Sequence, residues 1–153
     1  MKLSPGERLR RRWAADGPVR EGASQAALTT LEQDLRVVLP AAFRDYLAVV
    51  EGMESGQWVG NEIEFWPIAR IREEADDWGC FEPGVEGTLL PFADFLINSH
   101  AYAIRVSSSD APVFLVVGGV WGGPQRMQVI ECSSSFEEFV LRYEQDHTAI
   151  FGG

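Results

Sequence analysis

Apolar residues in the first third of the chain recur at helical spacing, whereas most of those that follow cluster or alternate. Leu28, Leu31, Leu35 and Val38 fall at three- and four-residue intervals and predict one amphipathic helix. The stripe stops at Leu39-Pro40, because a proline lacks the backbone N–H and disfavours helix at the residue before it. The same proline is well suited to open a second helix, whose stripe is Phe43, Tyr46, Leu47 and Val50. Gly52 can supply the left-handed residue that ends it. Residues 31–52 therefore predict a bent helical pair that must bury both stripes against another layer.

Upstream, Ser4-Pro5 followed by Glu7 to Ala15 predicts a short opening helix, closed by Asp16-Gly17-Pro18. Leu9 and Trp13 lie one turn apart and can dock it. Residues 16–23 read as a polar linker, with Ser24 as N-cap of the first core helix. On this reading residues 1–23 are a basic helix and linker, and 24–153 the main domain.

Downstream the pattern turns to strands. Residues 57–66 hold two short apolar runs around Gly60-Asn61 and predict a hairpin. Ile68 to Trp78 predicts a short acid-rich helix, and 79–88, with four glycines or prolines, a loop. Leu89 to Asp94 resumes as a strand whose Pro91 places it at an edge or a bulge. Tyr102, Ile104 and Val106 alternate with Ala103 and Arg105 as a half-buried strand. Val113–Val117 is continuously apolar, as in a central strand covered on both faces. The chain turns at Gly118–Gly123 and returns over 127–131. Ser135-Phe-Glu-Glu138 has capping-box form, and Phe136, Phe139, Val140 and Tyr143 mark a closing helix. The sum is a single α+β domain: a mostly antiparallel sheet of about five or six strands, an N-terminal helical pair and a C-terminal helix.

The order of these pieces resembles the SUKH superfamily, which joins fungal cell-wall-synthesis regulators to many bacterial toxin-immunity proteins. The resemblance rests on Leu31-Glu32, Leu39-Pro40, Phe43, Tyr46-Leu47 and Gly52. It continues with Phe65-Trp66-Pro67-Ile68, Leu90-Pro91-Phe92-Ala93-Asp94, Tyr102-Ala103-Ile104, Pro112-Val113 and Ser135-Phe136-Glu137-Glu138-Phe139. It spans about residues 24–143. Glu51 departs from the asparagine common before the glycine, which weakens that turn as a binding element. The Gly118–Gly123 turn is longer and richer in glycine than the family pattern. The resemblance implies a helix-backed sheet that binds another protein, with no shared catalytic constellation and no cofactor.

Composition adds a charge argument. The 153 residues carry a formal net charge of −10, yet residues 1–20 are net +4. The deficit is concentrated between Glu51 and Glu86, where ten carboxylates face only Arg70 and Arg72. Trp58, Trp66, Trp78 and Phe81 are interleaved with them, and aromatics beside charge commonly anchor protein interfaces. The candidate partner-binding residues are Glu54, Trp58, Glu62, Glu64, Glu73, Asp76, Asp77, Trp78, Glu82, Glu86 and, at the glycine-rich turn, Trp121. Two readings stand side by side: a polyanion-like surface that fits the basic groove of a nuclease toxin, or a solvated acidic face whose tryptophans turn inward.

Other chemistries fare worse. An acidic body repels nucleic acid and anionic membrane. No apolar run approaches the roughly 20 residues of a membrane span, and the N-terminus lacks a secretory signal's apolar centre, so a cytoplasmic location is expected. Cys80 and Cys132 fit no metal spacing, and no His/Cys/Asp cluster suggests a metal site. Both cysteines read as reduced and buried, with a disulfide between them left open by sequence. Asp94 and His100, with Ser99 or Ser107, could be imagined as a triad; Asp94 reads better as a cap after its strand and His100 as a loop residue. Gly118–Gly123 lacks the Gly-Lys-Ser/Thr of a phosphate loop. The expected function is a non-enzymatic immunity protein that binds a cognate toxin; the alternative is a regulatory or scaffold module without a toxin. The sequence leaves the oligomeric state open.

Overall fold

The structure, a computed structural model, describes residues 2–53, 63–77, 89–95, 100–106, 109–117 and 128–145. In these, five helices and one five-stranded sheet form an α+β domain. The helices are α1 (Pro5–Ala14), α2 (Gln25–Leu35), α3 (Ala41–Val49), α4 (Ile68–Asp77) and α5 (Phe136–Gln145). The strands are β1 (Ile63–Phe65), β2 (Leu89–Phe95), β3 (His100–Arg105), β4 (Val113–Val117) and β5 (Gln128–Ser133). The sheet is antiparallel throughout, in the order β1-β2-β3-β4-β5.

The elbow forms, but its first helix ends earlier than the apolar stripe suggests. Arg36 adopts a left-handed conformation (φ 57°, ψ 43°), and the Val37 N–H donates back to the Glu32 carbonyl at 3.0 Å. This is the helix-ending pattern usually filled by glycine. Val38 therefore leaves the stripe and is 79% exposed. The Glu32 carboxylate reaches across the bend to accept the Leu39 N–H at 2.8 Å, and Pro40 is the N-cap of α3. Phe43, Tyr46, Leu47 and Val50 are all buried.

Helix α1 opens with a full capping box. The Ser4 hydroxyl accepts the Glu7 N–H, and the Glu7 carboxylate accepts the Ser4 N–H. That pairing holds the Glu7 carboxyl below the usual carboxylate range. Leu9 and Trp13 are buried, and the Trp13 indole donates to the Tyr143 hydroxyl at 3.1 Å. Arg8 and Arg12 both reach Glu144 on α5, so part of the basic cluster serves helix docking.

The core lies between the sheet and the layer of α1, α3 and α5. Phe65 on β1, Phe92 on β2 and Tyr102 on β3 point into it. There they meet Trp13, Phe43, Tyr46, Phe136, Phe139 and Tyr143, with neighbouring ring centroids 5.1–6.4 Å apart. Most of these pairs are edge-on or tilted, the arrangement their quadrupoles favour.

Three strand expectations change. The second arm of the expected hairpin exists as β1, but its described partner is β2; the first arm lies outside the described residues. β3 is buried from Ala101 to Ile104 rather than half-buried, because it occupies the centre of the sheet. β2 is interior, and its proline is accommodated by a register shift between Pro91 and Ala93, the bulge alternative. At α5 the capping box is modified. The Ser135 hydroxyl accepts the Glu138 N–H as expected, but the Glu138 carboxylate reaches Ser134 instead of Ser135.

Candidate partner-binding face

Strand register sorts the acidic belt. Phe65 points into the core, so its neighbour Glu64 points to the other side of the sheet. Glu64 pairs across strands with Asp94, placing two carboxylates side by side. Like charges in that position repel unless a cation lies between them. Arg70, in the first turn of α4, fills that place. Its guanidinium donates to Glu64 at 3.1 Å and Asp94 at 3.3 Å, and its Nε lies 3.8 Å from Glu74 one turn along.

Trp66 completes the cluster from its buried position. Its indole N–H donates to the second Asp94 oxygen at 3.1 Å, and the Arg70 guanidinium stacks 4.7 Å above its ring. Asp94 is 2% exposed. It sits within β2, not after it, so it is not the turn cap expected from sequence; His100 likewise opens β3 and is not a loop residue. A buried carboxylate is tolerable when paired and hydrogen-bonded. Asp94 is both.

Glu51 is also committed inward. Its carboxylate accepts the Ile68 N–H at 3.1 Å and the Arg20 guanidinium at 3.2 Å. The Ile68 N–H is one of the donors a helix start leaves unpaired, and a negative charge there also suits the helix dipole. Next to it, Gly52 has φ 64°, and a Cβ there would lie 2.5 Å from the Trp66 carbonyl carbon. Gly52 thus lets the chain pass against Trp66, three residues beyond the end of α3; Val50, in extended conformation, is the C-cap. Glu51 thus builds a strut between the elbow and α4.

What remains outward is smaller than the sequence count. Of the candidate residues, Glu64 is engaged by Arg70, and Glu73 is exposed on α4. Asp76 and Asp77 end α4. Glu54, Trp58, Glu62, Trp78, Glu82, Glu86 and Trp121 lie outside the described residues. Arg72, the second cation of the belt, pairs with Asp34 of α2 at 3.1 Å. Trp66, one of the interleaved aromatics, is core.

This arrangement of elbow, sheet and closing helix is what the sequence comparison also recognises. The SMI1/KNR4 family (SUKH-1) matches residues 22–142. The chain belongs to that family. No curated protein matches the sequence. The family match takes in α2 through most of α5, and so includes the Arg70 cluster and the Glu51 strut. α1 precedes the matched region and packs on α3 and α5.

Sequence reasoning missed the Arg70 cluster as a unit. The i,i+4 spacing of Arg70 and Glu74 was a visible signal. The pairing of Glu64 with Asp94, thirty positions apart, had none. Among the described residues no group of three or more His, Cys, Asp or Glu is placed to hold a metal ion, and no helix is long and apolar enough to cross a membrane. Cys132 is a free thiol, buried, donating to the Val113 carbonyl at 3.4 Å; burial pushes it up to about 12.

Proposed function

We propose that this SUKH-1 protein acts in the cytoplasm by binding another protein, a cognate bacterial toxin with a basic surface, and that it does so without catalysis. The observation that carries the reading is the charge ledger of residues 51–86. Ten carboxylates occupy the segment, and its two cations, Arg70 and Arg72, are both engaged within the fold by Glu64, Glu74, Asp94 and Asp34. Ten carboxylates thus share two cations within the segment, which leaves it with a formal charge of −8. Such a field accelerates encounter with a basic partner, while apolar contacts set the residence time.

The test is co-purification with the product of the adjacent upstream reading frame, followed by association kinetics at low and high salt. The association rate is expected to fall at least about tenfold as salt rises through the screening range. Reversing Glu73, Asp76 and Asp77 to lysine is expected to abolish rescue of cells from that product. Tight binding without rescue favours the regulatory-module alternative; an association rate indifferent to salt overturns the electrostatic mechanism.

A further inference from the structure

Among the described residues the two outermost strands of the sheet are finished differently. At β1 the edge is three residues long and already covered: the Met53 N–H donates to the Phe65 carbonyl at 2.9 Å, and the Phe65 N–H donates to the Met53 sulfur at 3.4 Å. At the opposite edge, β5 runs six residues, Gln128 to Ser133, and contains neither proline nor lysine, two usual guards of an exposed edge. Its far end is closed. A register shift between Val113 and Phe114 distorts the ladder there, and Arg142 donates to the Cys132 carbonyl at 3.0 Å. Over Gln128–Glu131 the backbone is paired on the β4 side, and among the described residues nothing hydrogen-bonds its outer side.

The side chains along this open stretch are specific. Ile130 is 40% exposed, on the face that carries the helices, and Val129 is half-buried on the other. Glu131 is exposed on the Val129 face. We propose that β5 is a docking edge for an extended segment of a protein partner, which adds antiparallel to Gln128–Glu131 as a sixth strand. That strand would carry an apolar side chain beside Ile130 and a basic one beside Glu131. Main-chain pairing supplies the affinity, and the alternating side chains supply the selection. A second copy of this chain suits the edge poorly, because it brings another body of net charge −10. The inference rests on the protein-binding reading above and gives it a geometry.

The probe is an end-capped eight-residue peptide alternating valine and lysine, compared with one alternating valine and glutamate. Both are titrated into the full chain while backbone amide exchange is followed. The lysine peptide is expected to slow exchange of those amides in 128–131 that point away from β4, and to bind at least about fivefold more tightly than the glutamate peptide. Ile130→Lys, at an exposed position, is expected to weaken it about tenfold. Glu131→Gln is expected to shrink the preference between peptides while leaving the apolar contact intact. No slowing at 128–131, equal binding of the two peptides, or protection through self-association without peptide overturns the proposal. With the upstream product as probe, salt-sensitive binding that leaves β5 unprotected removes the strand edge and leaves the proposed function standing. Peptide docking without binding of that product removes the proposed function instead.

Discussion

The two faces of the sheet near β1 and β2 solve the burial problem by opposite means. On the helix side, Phe65 and Phe92 are surrounded by aromatic rings from α1, α3 and α5, all fully buried. On the other side, the Arg70 guanidinium bridges Glu64 and Asp94, and the Trp66 indole donates to Asp94. Aromatic packing is summed over many weak contacts, so each ring has several neighbours sharing its energy. The charged cluster concentrates its energy in a few directional bonds. Its failure mode is therefore a stranded charge, where the aromatic side's is a cavity.

The comparison is broken most severely on the aromatic side. Phe92 touches Phe43, Phe65, Phe136 and Phe139, linking the sheet to two helices. Phe92→Ala is expected to cost about 4 kcal/mol, since both the transfer energy and an unfilled cavity are charged to it. Urea unfolding followed by fluorescence measures it. A loss below about 1.5 kcal/mol would mean the core collapses around the gap and is looser than its ring geometry implies.

On the charged side, Arg70→Met is expected to cost about 2 kcal/mol. That is below the 3–5 kcal/mol typical of a fully buried pair, because the Arg70 side chain is 27% exposed and solvent screens part of the charge. Asp94→Asn in the Arg70→Met background is the sharper measurement. If the cost is the stranded Asp94 carboxylate, the second change recovers a substantial part of it, a coupling visible in a double-mutant cycle. Simple additivity would show that Arg70 contributes little to holding Asp94.

How much of this was legible beforehand differs between the two faces for the same physical reason. The aromatic side could be read because helical spacing is local: Phe43, Tyr46 and Leu47, or Phe136, Phe139 and Tyr143, announce a buried face within a dozen residues. The charged side depends on register between strands far apart in sequence, so Asp94 looked like a turn cap until β2 was seen to extend through it. The elbow was legible at Pro40 but not at Arg36, whose left-handed conformation occupies a position where neither glycine nor asparagine gives notice. The hairpin around Gly60-Asn61 and the anchors Trp58, Trp78 and Trp121 lie outside the described residues, so the candidate face was far less accessible than the fold. The acidic count itself misled in part: Glu51, Glu64 and Glu74 sit in the belt, yet each is committed to an arginine or a helix start.

The smallest effect tests whether the aromatic face holds any polar bond besides that of the Trp13 indole to the Tyr143 hydroxyl. Tyr102 faces Phe139 at 5.3 Å, is fully buried, and its hydroxyl has no hydrogen-bond partner among the described residues. A buried hydroxyl without a partner opposes folding, so Tyr102→Phe is expected to leave stability unchanged or raise it by up to about 1 kcal/mol. The pH dependence gives an independent sign. Burial raises the Tyr102 hydroxyl above its ordinary value of 10.0, so the folded state disfavours the phenolate more than the unfolded chain does. Below that value both states are protonated and nothing is lost. As pH rises through it the unfolded chain ionises first, and stability falls. The Phe variant is therefore expected to lose less stability above pH 10 than the parent, with Tyr46, Tyr143 and Cys132, all also raised by burial, contributing to the remaining slope. Matching alkaline slopes in the two proteins, or a loss of stability at neutral pH, would mean that the Tyr102 hydroxyl is paired in solution and that the helix side of the sheet holds a polar bond besides the one between Trp13 and Tyr143.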